Sequence, residues 1–143
     1  LKSRCLNYKI HLTSSQSFDI TNKILGENFM DLINHQLINN YSTPGLILNL
    51  LNFANNNDID LKDSNLKDFI KKILIEKKYK KDQFIKHLLY SLIEIYFRIN
   101  VSVKDIRLLT IQNYFLNKIN NTKIFNLDDE TLFMEFEDRV LNG

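Results

Sequence analysis

Three glycines and one proline in 143 residues leave this chain few places to turn sharply. An all-β sandwich needs a turn signal about every 8 to 12 residues, so the scarcity constrains the chain to helices joined by short polar connectors. The apolar spacing points the same way. Leu66, Phe69, Ile70, Ile73 and Leu74 recur at the i, i+3, i+4, i+7, i+8 spacing that places them on one helix face, with lysines on the other. Ile85, Leu88, Leu89, Leu92, Ile93, Tyr96 and Phe97 extend that pattern over a longer helix, which Asp82 is placed to cap.

The remaining elements are shorter. Ser14 or Ser15 is placed to cap a helix carrying Phe18, Ile20, Ile24 and Leu25 that stops near Gly26. A second helix, from about Phe29 to Asn39, presents Phe29, Leu32, Ile33, Leu37 and Ile38. A third opens at Ser42-Thr43-Pro44, where a hydroxyl N-cap precedes a proline whose missing N–H costs nothing in the first turn; it buries Ile47, Leu48, Leu50, Leu51 and Phe53. Ala54 to Asp60 is the most loop-like stretch and reads as a domain boundary. Beyond it, Ser102 with Asp105 forms a capping-box pattern before a helix bearing Val103, Ile106, Leu109, Leu116 and Ile119. Asp128 is placed to cap a last helix, with Leu127 stapling onto Leu132 and Phe133, Phe136 and Val140 on its buried face. These elements make a bundle of four or more helices. Ahead of them all, Leu6, Tyr8, Ile10 and Leu12 alternate with polar residues as in a half-buried strand. A strand without a partner leaves its backbone groups unsatisfied, so the chain is expected to be a piece of a longer protein. The expected architecture is all-α, with residues 1–12 a remnant of an α/β core, 13–57 a three-helix domain and 58–143 a helical bundle.

Charge and cysteine content exclude more than they assign. With 19 basic and 17 acidic side chains the formal charge is +2, too balanced to imply a nucleic-acid or lipid partner by itself. A single Cys makes no internal disulfide, and three scattered His make no zinc spacing, so a reducing, cytoplasmic setting is expected. The longest apolar run, Leu46 to Leu51, is broken by Asn and falls far below the roughly 18 to 20 residues a membrane span needs. No apolar signal-peptide region comes after Leu1.

Several clusters could carry chemistry. Lys71, Lys72, Lys77, Lys78, Lys80 and Lys81 surround Tyr79 and suggest a nucleic-acid patch, although charge runs at a helix end usually form a solvated face. His11, His35 and His87 lie on separate elements without metal-ligand spacing. Asp128, Asp129 and Glu130 could pair for acid–base work, but helix capping accounts for them better. Tyr90, Tyr96, Phe97, Tyr114 and Phe115 at helical spacing read as core or helix interface. No glycine-rich phosphate loop is present.

The tripeptide Ser3-Arg4-Cys5 takes its meaning from the elements C-terminal to it: a short strand, a small helical unit, then a bundle. The third small helix opens on Ser42-Thr43-Pro44-Gly45, and the last helix comes after Asn126-Leu127-Asp128 with Phe133 or Phe136 further on. Over nearly the whole chain, this order resembles the C-terminal part of AAA+ clamp-loader subunits, in particular the delta-prime family of bacterial DNA polymerase III. The resemblance implies that residues 1–12 end an ATPase core, 13–57 form its lid and 58–143 form a collar domain. It implies that Arg4 is an arginine finger offered in trans to ATP on a neighbouring subunit, with its planar fork set against the γ-phosphate. Cys5 would pack beside it without a nucleophilic role. No cofactor would be bound by this chain. Its partners would be the gamma/tau and delta subunits through the collar, with the sliding clamp and primed DNA reached indirectly during DNA replication. Relatives that hydrolyse ATP usually carry a sensor 2 arginine soon after the turn that opens the lid's last helix. This sequence has Leu46, Ile47 and Leu48 there, which implies the non-hydrolysing type. A collar contact is expected on the helix at 82–99, whose apolar residues, including Tyr90, Ile95 and Ile99, occupy much of its circumference. The alternatives are a freestanding helical adaptor, an active gamma/tau-type ATPase, and a DNA-binding helical domain using the lysine run.

Overall fold

The computed structural model describes residues 11–39, 42–102 and 105–143. Its described part is all-helical, with six α-helices and no strand. The strand expected at Leu6 to Leu12 lies almost wholly outside these residues; His11 and Leu12 have no regular structure. The chain divides into two compact units, residues 1–62 and 63–143, with the division between Lys62 and Asp63.

Unit 1 contains α1 (Ser14–Leu25) and α2 (Pro44–Asn56) joined by two 3-10 turns, Phe29–Asp31 and His35–Leu37. The cap of α1 is Thr13, one position before the expected serines. Its hydroxyl accepts from the Gln16 N–H, and Gln16 Oε1 accepts the Thr13 N–H in return. Gly26 closes the helix at φ 76°, a left-handed conformation in which its N–H reaches the Asn22 carbonyl. The buried face of α1 also departs from expectation. Ser17 and Thr21 are buried, while Ile24 is 60% exposed and Ile20 36% exposed. Thr21 Oγ1 donates to the Ser17 carbonyl at 2.8 Å, which satisfies the hydroxyl and leaves a face of small side chains on a helix that packs against α2.

The helix expected over residues 29–39 is replaced by the two 3-10 turns, and asparagine is the cause. Asn28 Oδ1 accepts from the Met30 N–H and Asn34 Oδ1 from the Gln36 N–H, so each side chain starts a new turn. The Asn34 N–H goes to the Leu61 carbonyl at 2.9 Å, a distant partner that an uninterrupted helix would forbid. Phe29, Ile33 and Leu37 still reach the core. Phe29 meets Phe18 edge-on at 5.1 Å. In α2, Thr43 Oγ1 accepts from the Leu46 N–H and Pro44 sits in the first turn, as its sequence predicts.

Unit 2 contains α3 (Leu66–Ile75), α4 (Gln83–Asn100), α5 (Ile106–Phe125) and α6 (Asp129–Phe136), the last running directly into a π-turn at Glu137–Leu141. All five periodic residues of α3 are buried. Asp82 and Asp128 cap α4 and α6 as expected, through the N–H groups of Phe84, and of Glu130 and Thr131. The cap of α5 is Asp105, which accepts from Leu108; Ser102 instead contributes its carbonyl to the Asp105 N–H, so the expected capping box is replaced by a preceding turn. Val103 lies outside the described residues, and Ile106 is exposed. The core is aromatic: Phe136 meets Phe97, Phe115 and Tyr96 edge-on at 5.7, 5.4 and 5.8 Å, and Phe97 stacks on Phe115 at 5.9 Å. The staple residues differ in exposure: Leu132 is buried, but half of Leu127 is exposed.

Candidate functional site

Ser3, Arg4 and Cys5 lie outside the described residues. What unit 1 does describe is the opening of α2. Thr43 supplies the cap, Pro44 the first helical φ, and Gly45 a position with open space around it. Where a sensor 2 arginine would stand, Ile47 is fully buried and Leu46 and Leu48 are half-buried. Leu48 lines a groove of about 430 Å³ with Leu25, Leu32, Leu51 and Leu61, and Ile47 is the residue of this turn that packs in the core.

Three of the six lysines of the run pair with neighbouring carboxylates. Lys80 pairs with Glu130 at 2.6 Å and Lys77 approaches the same oxygen at 3.7 Å; Lys78 pairs with Glu76 at 2.6 Å. Lys86, on the next helix, holds Asp129 at 2.8 Å. Tyr79, the residue that would stack on a base, is buried and meets Phe133 edge-on at 4.9 Å. Burial, reinforced by nearby Glu130, raises its pKa and keeps the phenol protonated. The acidic trio is thereby explained. Asp128 is the helix cap, and its pKa is lowered chiefly by the Thr131 hydroxyl and then by the Thr131 and Glu130 N–H groups. Glu130 is held ionised by the hydrogen bond from Lys80.

His11, His35 and His87 are exposed and on separate elements. Among the described residues no group of three or more His, Cys, Asp or Glu is placed to hold a metal ion. The aromatic set is dispersed: Tyr90 meets Phe133 at 5.4 Å and Tyr96 and Phe97 meet Phe136, while Tyr114 is exposed and meets Phe115 at 5.2 Å. The collar face expected on α4 requires correction. Tyr90 and Ile95 are buried inside unit 2, where Tyr90 packs against Phe133 of α6, and of the three only Ile99 is exposed, at 51%. The exposed apolar residues of unit 2 lie elsewhere, most densely at the corner after α5, where Ile124, Phe125 and Leu127 are 72%, 67% and 50% exposed.

One cluster has no single motif to mark it in the sequence. Glu135 accepts from Lys118, from Tyr114 Oη at 3.0 Å and from Arg139 at 2.6 Å. Burial would raise its pKa, but the hydrogen bonds from Lys118, Arg139 and Tyr114 outweigh that and hold it at about 2. Its two halves are visible as i, i+4 pairs, Tyr114 with Lys118 and Glu135 with Arg139; that they meet depends on the packing of α5 against α6. No helix among the described residues is long and apolar enough to cross a membrane. Comparison with protein-family models, curated proteins and solved structures finds no significant match to this chain.

Proposed function

We propose that the chain is the C-terminal part of a delta-prime-type clamp-loader subunit, acting in the cytoplasm. It would help assemble the DNA polymerase III loader that places the sliding clamp on primed DNA, and would offer Arg4 in trans to ATP on a neighbouring gamma/tau subunit. The observation that carries the reading is the order of parts. Ser3-Arg4-Cys5 precedes a small helical unit whose last helix opens on Thr43-Pro44-Gly45, and a separate helical unit comes after it. The apolar identity of Leu46, Ile47 and Leu48 supports a subunit without its own hydrolytic site, since none of them carries a guanidinium. The reading takes residues 1–12 as the end of the ATPase core, 13–57 as the lid and 58–143 as the collar domain. With Tyr90 and Ile95 enclosed, the contact with the gamma/tau and delta subunits falls to other exposed apolar residues of unit 2. The chain binds no cofactor of its own in this scheme.

The test is Arg4→Ala in a reconstituted loader. An arginine finger is worth about a thousandfold or more at the phosphate it serves, so DNA-stimulated turnover at the neighbouring ATP site should be lost while assembly is retained. Unchanged turnover at that site would remove the proposed role. A second reading, a helical adaptor in which Ser3-Arg4-Cys5 has no catalytic meaning, is favoured by the apolar corner at Ile124, Phe125 and Leu127. It predicts that the chain does not enter the loader at all.

A further inference from the structure

The groove of about 430 Å³ in unit 1 is lined by residues between 25 and 61, all within that unit. Leu25, Leu32 and Leu48 give it an apolar floor that is only half-covered. Two helices end on it: Leu25 is the last residue of α1, and Ala54 and Asn55 belong to the last turn of α2. A helix C-terminus is the negative end of the macrodipole, and α2 has no basic residue in its last turn to offset it. Lys23, in the last turn of α1, is exposed and is not part of the lining. The charged side chains that do line the groove, Glu27 and Asp60, are both acidic and both exposed. Glu27 forms no ion pair among the described residues. Asp60 Oδ1 accepts the Lys62 N–H at 2.8 Å, a local turn that holds its carboxylate at the rim. Among the described residues no Lys, Arg or His lines the groove.

We propose that this groove docks a basic, amphipathic peptide segment of a partner protein. Such a segment lays aliphatic side chains on Leu25, Leu32 and Leu48 and brings a Lys or Arg to Glu27 and the ends of α1 and α2. The charge pattern selects the sign of the occupant. An acidic segment or a nucleic acid would meet two carboxylates and two negative helix ends, with no cation in the lining to receive it. A wholly apolar segment would cover the leucines but take Glu27 out of water unpaired. A free metal ion finds no ligand set, since no group of three or more His, Cys, Asp or Glu converges among the described residues. A Lys or Arg lays its aliphatic stem along apolar surface while its head reaches the rim, so it serves floor and carboxylate together. The inference rests on the groove alone and stands apart from the clamp-loader reading.

The test uses the full chain and a fluorescently labelled synthetic peptide that sets Lys and Leu in an amphipathic helical pattern. Saturable binding by anisotropy is expected, weakening as salt rises, with the amide resonances of Leu25, Leu32 and Leu48 shifting on titration. Glu27→Gln, at an exposed position that leaves the fold intact by circular dichroism, should weaken binding about threefold and reduce its salt dependence. The same peptide with every Lys replaced by Gln should bind the unaltered chain more weakly by at least that factor, and replacing its Leu by Ser should abolish the shifts. The proposal is overturned by absence of saturable binding, by equal affinity for the Gln peptide, or by unchanged affinity of the Glu27→Gln chain. It is overturned equally by spermine binding as tightly as the peptide, which would make the site one for a free amine. Concentration-dependent shifts of the same resonances without peptide would make a second copy of the chain the occupant and overturn it too.

Discussion

In unit 1 the described helical segments start on neutral side chains, whereas in unit 2 three of four α-helices start on aspartate and the elements are tied by ion pairs. Thr13, Asn28, Asn34 and Thr43 start the four helical segments of unit 1, and Asn22 Oδ1 accepts the Phe29 N–H across the connection after α1. In unit 2, Asp82, Asp105 and Asp128 take the corresponding positions on α4, α5 and α6. Lys86 is joined to Asp129, Lys80 to Glu130, Lys118 to Glu135 and Lys123 to Glu94, each pair linking different elements. Neutral caps bind orphan N–H groups without regard to pH or salt, whereas carboxylate caps and ion pairs are weakened on protonation. The two units therefore have the same kind of backbone held in ways that respond differently to solution conditions, and each difference can be measured.

The largest expected effect tests whether the units are separately cooperative. Phe136 is fully buried against three aromatic rings, whereas Phe29, equally buried, has one ring neighbour among the described residues, Phe18. Phe136→Ala should cost about 4 to 5 kcal/mol and Phe29→Ala nearer 3 kcal/mol, the two ends of the range for emptying such a site. Amide exchange reads each unit apart. Phe136→Ala should strip protection from Leu92 and Ile93 while sparing Ile47 and Leu50, and Phe29→Ala should do the reverse. If either variant lowers both sets equally, the units unfold together and the contrast between them has no energetic meaning.

Acid should act on unit 2 first. The Glu135 carboxyl is held at about 2 against an ordinary 4.5, so on acidification the unfolded chain takes up a proton before the folded one does. The stabilisation is complete above about 4.5 and is lost as the pH falls toward 2. With 24% of the Glu135 side chain exposed, solvent screening reduces the effect to on the order of 1 kcal/mol. Glu135→Gln should flatten the pH dependence of unit 2 over that interval, leaving a residual slope from Glu76, Asp128 and Glu130, whose pKa values are also lowered. An unaltered slope in Glu135→Gln would mean that its hydrogen bonds are matched in the unfolded chain.

The same chemical difference governs how much of the fold was legible in the sequence. The buried faces of α3 and α4 follow from periodicity, since their apolar residues outnumber any local competitor and long-range packing only confirms the stripe. Residues 29 to 39 carry a comparable apolar pattern, but Asn28 and Asn34 offer the backbone local partners that break one helix into two turns. Apolar spacing alone also misplaces the buried face of α1, where Ser17 and Thr21 are buried because their small size suits a close approach to α2 and their polar atoms are satisfied within the helix. On α4, the spacing shows that Tyr90 and Ile95 are apolar, but not that other parts of unit 2 would bury them. Arg4, on which the proposed function turns, lies outside the described residues, and the cluster at Glu135 joins side chains of two helices whose proximity no local pattern encodes.

The smallest expected effect isolates a single ion pair between α4 and α6. Lys86 Nζ lies 2.8 Å from Asp129 Oδ2, with about a quarter of each side chain exposed. Lys86→Met keeps the aliphatic stem and removes the charge, so the loss should be about 0.5 kcal/mol at low ionic strength. A double-mutant cycle with Asp129→Asn separates the pairing energy from each side chain's other contacts. In roughly 1 M salt the Debye length shrinks to about 3 Å and the coupling should fall close to zero. The comparison predicts a further asymmetry at this scale: the Thr43 cap of unit 1, which carries no charge, should contribute equally at both salt concentrations. Coupling between Lys86 and Asp129 that survives high salt would show that the pair is held by geometry and desolvation rather than by screened charge, and the distinction drawn between the two units would then fail where it is most exposed to solvent.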